Sequence, residues 1–513
     1  MSIQKFIIYG AGTEGRIAKL KMEYDKEDVI CFIDQNLQGQ KVEGLDVLSI
    51  DEGVRLADKF NYKIVISSQK HKKTMKHTLK MHGFKNYQVF SYNTLFEAVK
   101  YSLSPRWKIN KRRYIKIVEF LYPVFLVLFF PFALMLYILN FRLVYNFRFP
   151  GFGHMALEPD ALLANDDFKK YKFIAIVDET NTSNRYLLDI VTSKFITIKN
   201  FYLFHLFYFM FHYKFLNYNA GNNFMKMVDK YFLVEDNNIM EKTDLNVLKY
   251  MPSVYRPLVN NEEQNFFFPE GEKENCREIL DKSFGIKEND WFVCVHARDD
   301  REYNQIRSCN IHSFEQAIEF ITSKGGFVIR LGDKGVQKLS YNNSKVIDYA
   351  NSNVKSKIMD LYLMSEQTFL IGTITGVSDV SQMFRRPVIS TNVASWVQPR
   401  YMKGDIYLLK MFKNKVNDLI IGISEYMDNK IYLSAIRDEI EILNKYQVLD
   451  NTAEEILNAT KEMYAVLFEN KQPFNFADQD QYRKKFPEDS MPRIGKANVS
   501  QYFLDKYKNI FGI

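Results

Sequence analysis

The strongest chemical signal in this chain is a group of polar residues that directly follows an apolar run. Residues Trp291–Val295 favour a strand, and they are followed by His296, Arg298, Asp299 and Asp300. This pattern is typical of a buried strand that delivers polar side chains to the C-terminal edge of a parallel sheet, where open α/β sheets bind ligands. An arginine fixed there suits a diphosphate, because a guanidinium binds phosphate oxygens in a bidentate manner. The alternative is an ordinary strand end with a solvated charge cluster.

A second candidate for anion binding follows a later predicted strand. The run Thr368–Ile371 leads into a turn rich in glycine, threonine and serine, which opens a short helix. Backbone N–H groups at a helix N-terminus bind anions readily. The residues of this turn that we predict to bind a phosphate-containing donor are Gly372, Thr373, Thr375, Gly376 and Ser378.

Further donor-binding candidates lie near the ends of neighbouring strands. Arg307 and Arg330 could act as supporting cations, and Gly332 follows the predicted strand Phe327–Leu331. Asp348 and Tyr349 end another β-like run and could hold a ribose or a base. For Asp348, a helix cap is the structural alternative.

The elements that must position these residues alternate between strands and helices. Helical patterns over Ser313–Lys324 and Ile358–Glu366 separate the predicted strands, and Val388–Ser390 forms one more. Such alternation predicts an α/β fold with a doubly wound parallel sheet.

The N-terminus forms a separate predicted unit with its own nucleotide signal. The strand Lys5–Tyr9 is followed by a GxGxxG turn and a helix, and a second predicted strand ends at an acid suited to bind a ribose. The candidate nucleotide-binding residues are Gly10, Gly12, Thr13, Gly15 and Asp34. We find no Tyr-x-x-x-Lys pair for hydride chemistry here, which favours a mononucleotide or nucleotide-sugar. A Rossmann-like half that binds nothing is the alternative.

Composition limits the remaining classes of function. A chain of 513 residues forms several domains, and its four cysteines lack the spacing of a metal site, which suggests a reducing compartment. The chain opens with a strand rather than a signal peptide. The formal net charge of +8 includes a basic stretch over Lys100–Lys116. Nucleic acid could explain that stretch, but the adjacent apolar segment favours a membrane surface, and we predict no nucleic-acid partner.

That apolar segment is Phe120–Leu139, which contains 20 residues without a charge. It is long enough to cross a bilayer, but Pro123 and Pro131 interrupt it, and both flanks are basic. Because we predict nucleotide sites on both sides, we favour a re-entrant or monotopic insertion, with the basic residues at anionic headgroups. The aromatic run Phe201–Tyr218 is a second candidate for membrane contact, with an aromatic core helix as its alternative. Its two histidines, His205 and His212, have no third ligand nearby in the sequence, so we predict no metal site.

Two stretches of the sequence resemble known families. The stretch Lys5–Glu52, with IIYGAGTEGRIA and VICFIDQN, resembles the nucleotide-sugar-binding domain of bacterial sugar acetyltransferases and nucleotide-sugar dehydratases. Residues 115–405, with VCVHARDDREY, FVIRLGD and FRRPVI, are similar to a family of bacterial surface-polysaccharide glycosyltransferases, which is distantly similar to GT-B fucosyltransferases. Their His-x-Arg motif matches His296 and Arg298, and position 301 is an arginine where those enzymes have an acid.

The resemblance implies a GT-B glycosyltransferase in which Arg298 holds the donor diphosphate, generally without a metal or other cofactor. It implies a Rossmann-like domain over residues 1–102, a basic linker and membrane-inserting helix over 103–142, an acceptor half over 143–283 and a donor half over 284–414. A helical region over 415–513 would complete the chain. Besides Arg298 and His296, the candidate catalytic residues are Asp299, Asp300, His154 and Glu158, any of which could supply the base. For His154, a loop histidine without catalytic function is the alternative.

We therefore expect transfer of a sugar from a nucleotide-sugar to a lipid-linked or surface-polysaccharide acceptor, as in lipopolysaccharide or capsule synthesis. The expected location is the cytoplasmic face of the inner membrane, and a second nucleotide or nucleotide-sugar could occupy the N-terminal domain. The alternatives are a nucleotide-sugar-modifying enzyme and a non-catalytic scaffold that binds nucleotide-sugars. The sequence leaves the donor sugar and the oligomeric state open.

Overall fold

A computed structural model describes most of the chain: residues 5–24, 28–42, 44–68, 71–90, 121, 123–144, 151–177, 182–207, 217–218, 251–260, 262–298, 305–339, 341–433 and 439–513. The chain divides into two compact units, Met1–Ile117 and Val118–Ile513. Asp299 and Asp300 lie outside the described residues, as do the basic stretch over 100–116 and His212.

The first unit contains a Rossmann-like sheet of six strands in the order β3-β4-β2-β1-β5-β6. Every pairing is parallel except that between β3 and β4. Ser49 caps the second helix and forms a capping box with Glu52, which fixes where that helix begins. The elements are β1 (Lys5–Tyr9), α1 (Thr13–Tyr24), β2 (Asp28–Ile33), β3 (Lys41–Val42), β4 (Leu45–Leu48), α2 (Ile50–Phe60), β5 (Lys63–Ile66), α3 (Lys72–Met81) and β6 (Tyr87–Val89).

The second unit begins with a parallel four-stranded sheet in the order β10-β7-β8-β9. Along the chain, helices precede, separate and follow its strands. The elements are α4 (Phe130–Ile138), β7 (Phe141–Val144), α5 (Phe152–Ala164), β8 (Lys172–Val177), α6 (Arg185–Thr192), β9 (Ile196–Lys199), α7 (Phe201–Phe207), β10 (Asn217–Tyr218), α8 (Met251–Asn260) and α9 (Glu270–Phe284).

A seven-stranded parallel sheet follows, in the order β13-β12-β11-β14-β15-β16-β19. Its strands are nearly all apolar, as expected of a parallel sheet covered on both faces. The elements are β11 (Phe292–His296), α10 (Glu315–Ser323), β12 (Phe327–Arg330), β13 (Val346–Ile347), α11 (Lys357–Glu366), β14 (Leu370–Thr373), α12 (Gly376–Met383), β15 (Val388–Val393) and β16 (Ile406–Leu409). The predicted α/β alternation is confirmed.

The C-terminal part is helical, as predicted, but it also completes the sheets. One of its strands, β19, joins the edge of the seven-stranded sheet beside β16, and β18 pairs antiparallel with β17. The elements are β17 (Met411–Asn414), α13 (Ile423–Asp428), α14 (Glu439–Lys445), β18 (Tyr446–Leu449), α15 (Ala453–Phe468), α16 (Phe476–Lys484), α17 (Met491–Ile494), β19 (Asn498–Val499), α18 (Gln501–Lys506) and α19 (Lys508–Phe511).

The two sheets of the second unit share one hydrophobic core. Val144 and Ala175 of the four-stranded sheet belong to the same buried cluster as Cys294 and Leu370 of the seven-stranded sheet. A buried ion pair also joins them: Asp160 of α5, which is fully buried, lies 2.6 Å from an Nη1 of Arg385 beyond α12. The two halves are therefore packed directly against each other.

The apolar segment 120–139 takes helical form over residues 123–128 and in α4. Within the described residues, no helix is both long enough and apolar enough to span a bilayer. The four cysteines are buried, and Cys31 and Cys294 lie in β2 and β11.

Candidate functional site

The end of β11 presents His296 and Arg298 beside the turn that opens α12. The backbone N–H of Arg298 donates to Oγ1 of Thr373 at 3.1 Å, and Oγ1 of Thr375 lies 3.4 Å from Nδ1 of His296. Strands β11 and β14 are neighbours, with His296 opposite Gly372. A Cβ on Gly372 would lie 2.4 Å from the carbonyl oxygen of His296, so glycine permits this close approach. The two anion-binding candidates of the sequence therefore meet at one sheet edge.

Burial and positive neighbours keep His296 neutral. Burial is the largest cause that lowers the pKa of His296 to about 4, and the charges of Arg298, Arg330 and Lys355 add to it. A neutral imidazole adds no charge to a site that already holds several cations. His296 is therefore suited to donate or accept a hydrogen bond here, and not to serve as a cation at neutral pH.

Three arginines converge at this edge. Burial lowers the pKa of Arg307 to about 10, and the positive charges of Arg298 and Arg400 lower it further. Asp379 and Glu439 oppose the shift. The site thus concentrates positive charge in a partly buried place, where an anion is bound more strongly than in bulk water.

Arg400 was not predicted from the sequence, and its position is the most constrained of the three. Its guanidinium contacts Asp379 at 2.5 Å, Oγ of Ser378 at 2.5 Å and Oε1 of Gln382 at 3.2 Å. The residue lies in a loop after β15 without any periodic pattern, so no local signal marked it. Among the residues that the structure describes, the buried Nε atoms of Arg298 and Arg400 have no hydrogen-bond partner.

The short turn that carries Arg307 is fixed at three points. The ammonium of Lys410, a buried side chain, donates to the carbonyl oxygen of Ser308 at 2.6 Å and contacts Asp450 at 2.7 Å. The Ile306 N–H donates to Oε1 of Glu439 at 2.6 Å, and the Cys309 N–H donates to the carbonyl of Arg298 at 3.0 Å. Lys410 directly follows the apolar strand β16, which is the same signal that identified Arg298.

Two helix N-termini meet at the site. A Cβ on Gly376 would lie 2.9 Å from the backbone nitrogen of Gly153, and a Cβ on Gly153 would lie 1.9 Å from Oδ2 of Asp379. The first turns of α5 and α12 are therefore in direct contact. Thr375 and Ser378 form a capping box that begins α12, as the glycine-rich turn predicted. Helix N-termini carry partial positive charge, which adds to that of the arginines.

His154 follows Gly153 in α5 and pairs with Glu158 one turn later. Its Nδ1 lies 3.2 Å from Oε1 of Glu158, and the His154 side chain is 41% exposed while that of Glu158 is 12% exposed. A histidine oriented by a carboxylate is a common form of general base. Chain adjacency to Gly153 brings this pair to the margin of the arginine site.

Of the other donor-binding candidates, Arg330 and Tyr349 are buried, and Gly332 and Asp348 are partly buried. Arg330 is buried; its Nη1 lies 3.6 Å from Oδ1 of Asp348 and donates to the carbonyl of Gln337. The hydroxyl of Tyr349, a fully buried residue, donates to Oδ1 of Asp360 at 2.8 Å. Gly332 packs near Val336 and Ala350.

The glycine turn of the first unit connects β1 to α1 and is tightly packed at Gly15. Gly10 adopts a φ of 102°, and a Cβ on Gly15 would lie 1.8 Å from the Gly10 carbonyl oxygen, whereas Gly12 has open space around it. Oδ2 of Asp34 accepts the Ala11 N–H at 2.9 Å. Asp34 thus holds the turn in place from the end of β2. The backbone of Thr13 begins α1.

Among the residues that the structure describes, no group of three or more histidine, cysteine, aspartate or glutamate side chains could hold a metal ion. No protein-family model matches the chain, and no curated protein matches it.

Several solved structures resemble parts of this chain. One is UDP-D-quinovosamine 4-dehydrogenase from Vibrio fischeri, at 23% identity over 20% of this chain and 88% of that one, with a TM-score of 0.16. Another is a family 9 glycosyl transferase from Veillonella parvula, at 7% identity over 76% and 81% of the two chains, with a TM-score of 0.22. A third is UDP-GlcNAc 2-epimerase from Neisseria meningitidis, at 11% identity over 91% and 100%, also at 0.22. Likeness at these scores says nothing about the activity of this chain.

Proposed function

We propose that this protein is a membrane-associated glycosyltransferase that moves a sugar from a nucleotide-sugar donor to a lipid-linked or surface-polysaccharide acceptor. The observation that carries the proposal is the position of Arg298 and Arg400, which contact Thr373 and Ser378 in the turn that opens α12, at the C-terminal edge of a parallel sheet. Such an edge is where open α/β sheets bind ligands, and guanidinium groups match phosphate oxygens. The reaction would take place at the cytoplasmic face of the membrane.

In this proposal the arginines neutralise the diphosphate as it leaves. The acceptor hydroxyl attacks the anomeric carbon, a new C–O bond forms, and the bond from that carbon to the phosphate oxygen breaks. Negative charge then grows on the departing nucleoside diphosphate, and fixed cations and helix dipoles stabilise it without reorganisation. Transfer of this kind would need no metal, because arginines supply the positive charge.

For an inverting reaction, we assign the base to His154. Its imidazole would take the proton of the acceptor hydroxyl, and the carboxylate of Glu158, 3.2 Å from Nδ1, would stabilise the imidazolium that forms. Asp379 is less suited to this role, because its carboxylate is held by Arg400 at 2.5 Å. His296, neutral and close to Thr375, would position the donor rather than transfer a proton.

The N-terminal unit would bind a second nucleotide or nucleotide-sugar at the turn formed by Gly10, Gly12 and Gly15. The open space around Gly12 leaves room for a phosphate to approach the backbone. This site is separate in sequence from the arginine site, so the two can be tested by different substitutions.

The test is a thermal-shift titration of the detergent-solubilised full chain with nucleotide-sugars, repeated on Arg298→Ala and Gly12→Asp. A true ligand raises the melting temperature with dose. Arg298→Ala keeps the contact with Thr373, which uses the backbone N–H, so the fold should persist. Loss of a charge-assisted contact worth about 1.5–3 kcal/mol should weaken donor binding by roughly 10- to 100-fold.

The two variants separate the competing functions. A shift that disappears only in Arg298→Ala supports the transferase site, and transfer to an added acceptor should disappear with it. A shift that disappears only in Gly12→Asp would refute the assignment of the donor to the arginine site. That result would favour a nucleotide-sugar-modifying enzyme or a binding scaffold.

A further inference from the structure

Helix α4 of the second unit lacks the polar face that a water-exposed helix normally has. Helix α4 buries Ala133 and Leu136 against the four-stranded sheet, in a cluster with Leu143 and Ile176. On its other sides it remains apolar, and the exposed side chains there include Phe132 (43%), Leu134 (41%), Met135 (46%) and Ile138 (69%). A helix that is apolar all round normally lies in a protein core or in a membrane. Here the protein covers only one of its sides.

The exposed surface continues N-terminal to α4. Val124, Val127 and Leu128, in the helical residues 123–128, are exposed by 51%, 76% and 67%. Soluble monomers rarely expose a contiguous apolar patch of this extent unless it binds something. The occupant must therefore be a large apolar surface.

The C-terminal end of α4 carries aromatic and basic groups that point to a lipid surface. The guanidinium carbon of Arg142 lies 4.3 Å from the ring centroid of Tyr137 and 4.4 Å from that of Tyr171. Next to them, the ammonium of Lys170 lies 5.2 Å from the Tyr171 ring, and that of Lys172 lies 5.4 Å from the Phe141 ring. Tyrosine and lysine beside an apolar surface are the pattern of the bilayer interface, where rings sit at headgroup level and lysines contact anionic lipid.

The connection between α4 and the sheet fixes this arrangement. The chain turns at Asn140, which has a φ of 61°, directly into β7, and the Lys172 N–H donates to the Asn140 carbonyl oxygen at 2.9 Å. Lys170 and Lys172 are thus held beside the end of α4. Lys169 contributes less, because Asp166 pairs with it at 2.6 Å.

We propose that α4 lies along one leaflet of an anionic bilayer, with its outer side in the acyl region and Lys170 and Lys172 at the headgroups. This inference rests on the membrane association in the proposed function and specifies its surface. Arg142 is not a headgroup ligand in this arrangement, because it is buried between two tyrosines and fixes the end of the helix.

The test is sedimentation of the full chain, diluted out of detergent, with vesicles of phosphatidylcholine alone or of three parts phosphatidylcholine to one part phosphatidylglycerol. The test variant is Leu134→Glu with Ile138→Glu, two exposed positions whose change leaves Ala133 and Leu136 in place. In the proposed arrangement the bilayer buries these two aliphatic side chains. Loss of that apolar contact should lower partitioning into vesicles by about tenfold or more. The matched control is Leu467→Glu with Phe476→Glu, exposed by 40% and 53% on other helices, and it should partition like wild type.

A second variant tests the charge. Lys170→Glu with Lys172→Glu should keep binding to phosphatidylcholine and lose the preference for phosphatidylglycerol. Wild-type partitioning of the Leu134/Ile138 variant, or equal loss in the control, would overturn the proposal. A second result would also overturn it: light scattering shows a wild-type dimer, and the Leu134/Ile138 variant is a monomer with unchanged vesicle binding. The occupant of the apolar surface would then be a second copy of the chain.

Failure of this inference can be told apart from failure of the donor site. The nucleotide-sugar thermal shift is measured on the same Leu134/Ile138 variant and should equal that of wild type. A wild-type chain that binds vesicles but no nucleotide-sugar would refute the donor site alone.

Discussion

Substitution of Gly153 by alanine tests the contact between the first turns of α5 and α12. Gly153 is the second residue of α5, and a Cβ there would lie 1.9 Å from Oδ2, 2.8 Å from Cγ and 3.0 Å from Cβ of Asp379. Asp379 cannot yield easily, because Arg400 holds its carboxylate at 2.5 Å and is itself almost fully buried. Either the ion pair must stretch or the two helices must separate.

The expected cost follows from these contacts. Overpacking of a filled site costs about 1–3 kcal/mol, and breaking a buried ion pair outright costs about 3–5 kcal/mol. Arg400 keeps its contacts with Ser378 and Gln382, so we expect only part of the cost of breaking the ion pair. The free energy of unfolding should therefore fall by about 2–4 kcal/mol. The unfolding entropy is about 2.1 cal/mol/K per residue, or about 0.8 kcal/mol per degree for a unit of about 400 residues. The melting temperature should therefore fall by about 2–5 °C.

The assay is the melting temperature with and without nucleotide-sugar, and the matched control is Gly271→Ala. Gly271 is also the second residue of a helix, α9, and a Cβ there would meet nothing within 4 Å. Alanine at Gly271 should stabilise the protein slightly, by about 0.5–1 kcal/mol, because it restricts the unfolded chain. Gly153→Ala should also weaken donor binding, since Arg400 must move. A wild-type melting temperature and a wild-type donor shift in Gly153→Ala would refute the close approach of the two helices.

Two further predictions concern groups around the arginines. Because the pKa of His296 falls from 6.5 to about 4 on folding, the unfolded chain binds a proton between those pH values that the folded chain does not. Stability should therefore fall by about 3 kcal/mol as the pH drops through this window. His296→Gln should remove that part of the pH dependence, and equal pH profiles of melting temperature in variant and wild type would contradict the prediction. Lys410→Met removes a charge-assisted hydrogen bond to the Arg307 turn and should weaken donor binding by about tenfold. The control Lys413→Met removes a partly exposed ion pair with Asp418 and should leave donor binding unchanged. The dissociation constant of the donor, measured for both variants, tests the prediction.

Local patterns predicted much of the fold, because they depend on neighbours along the chain. The apolar run that becomes β11 and ends at His296 is visible in the sequence, as are the glycine turn after β1 and the glycine-rich turn that opens α12. The roles proposed for these residues remain predictions. Tyr349 shows the limit of this reasoning: it follows a strand as a ribose ligand would, yet the residue is buried and its hydroxyl donates to Asp360 of α11.

The sequence by itself determined the α/β alternation, the two glycine-rich turns and the strand end that carries Arg298, since short-range periodicity and turn chemistry specify each of them. Only the tertiary structure brought Arg400 to Ser378 and Asp379, placed Lys410 beneath the Arg307 turn, and set Gly153 against α12. It also decided which side of α4 the protein covers. Contacts between residues far apart in sequence depend on how helices pack on sheets, and no local pattern encodes that packing.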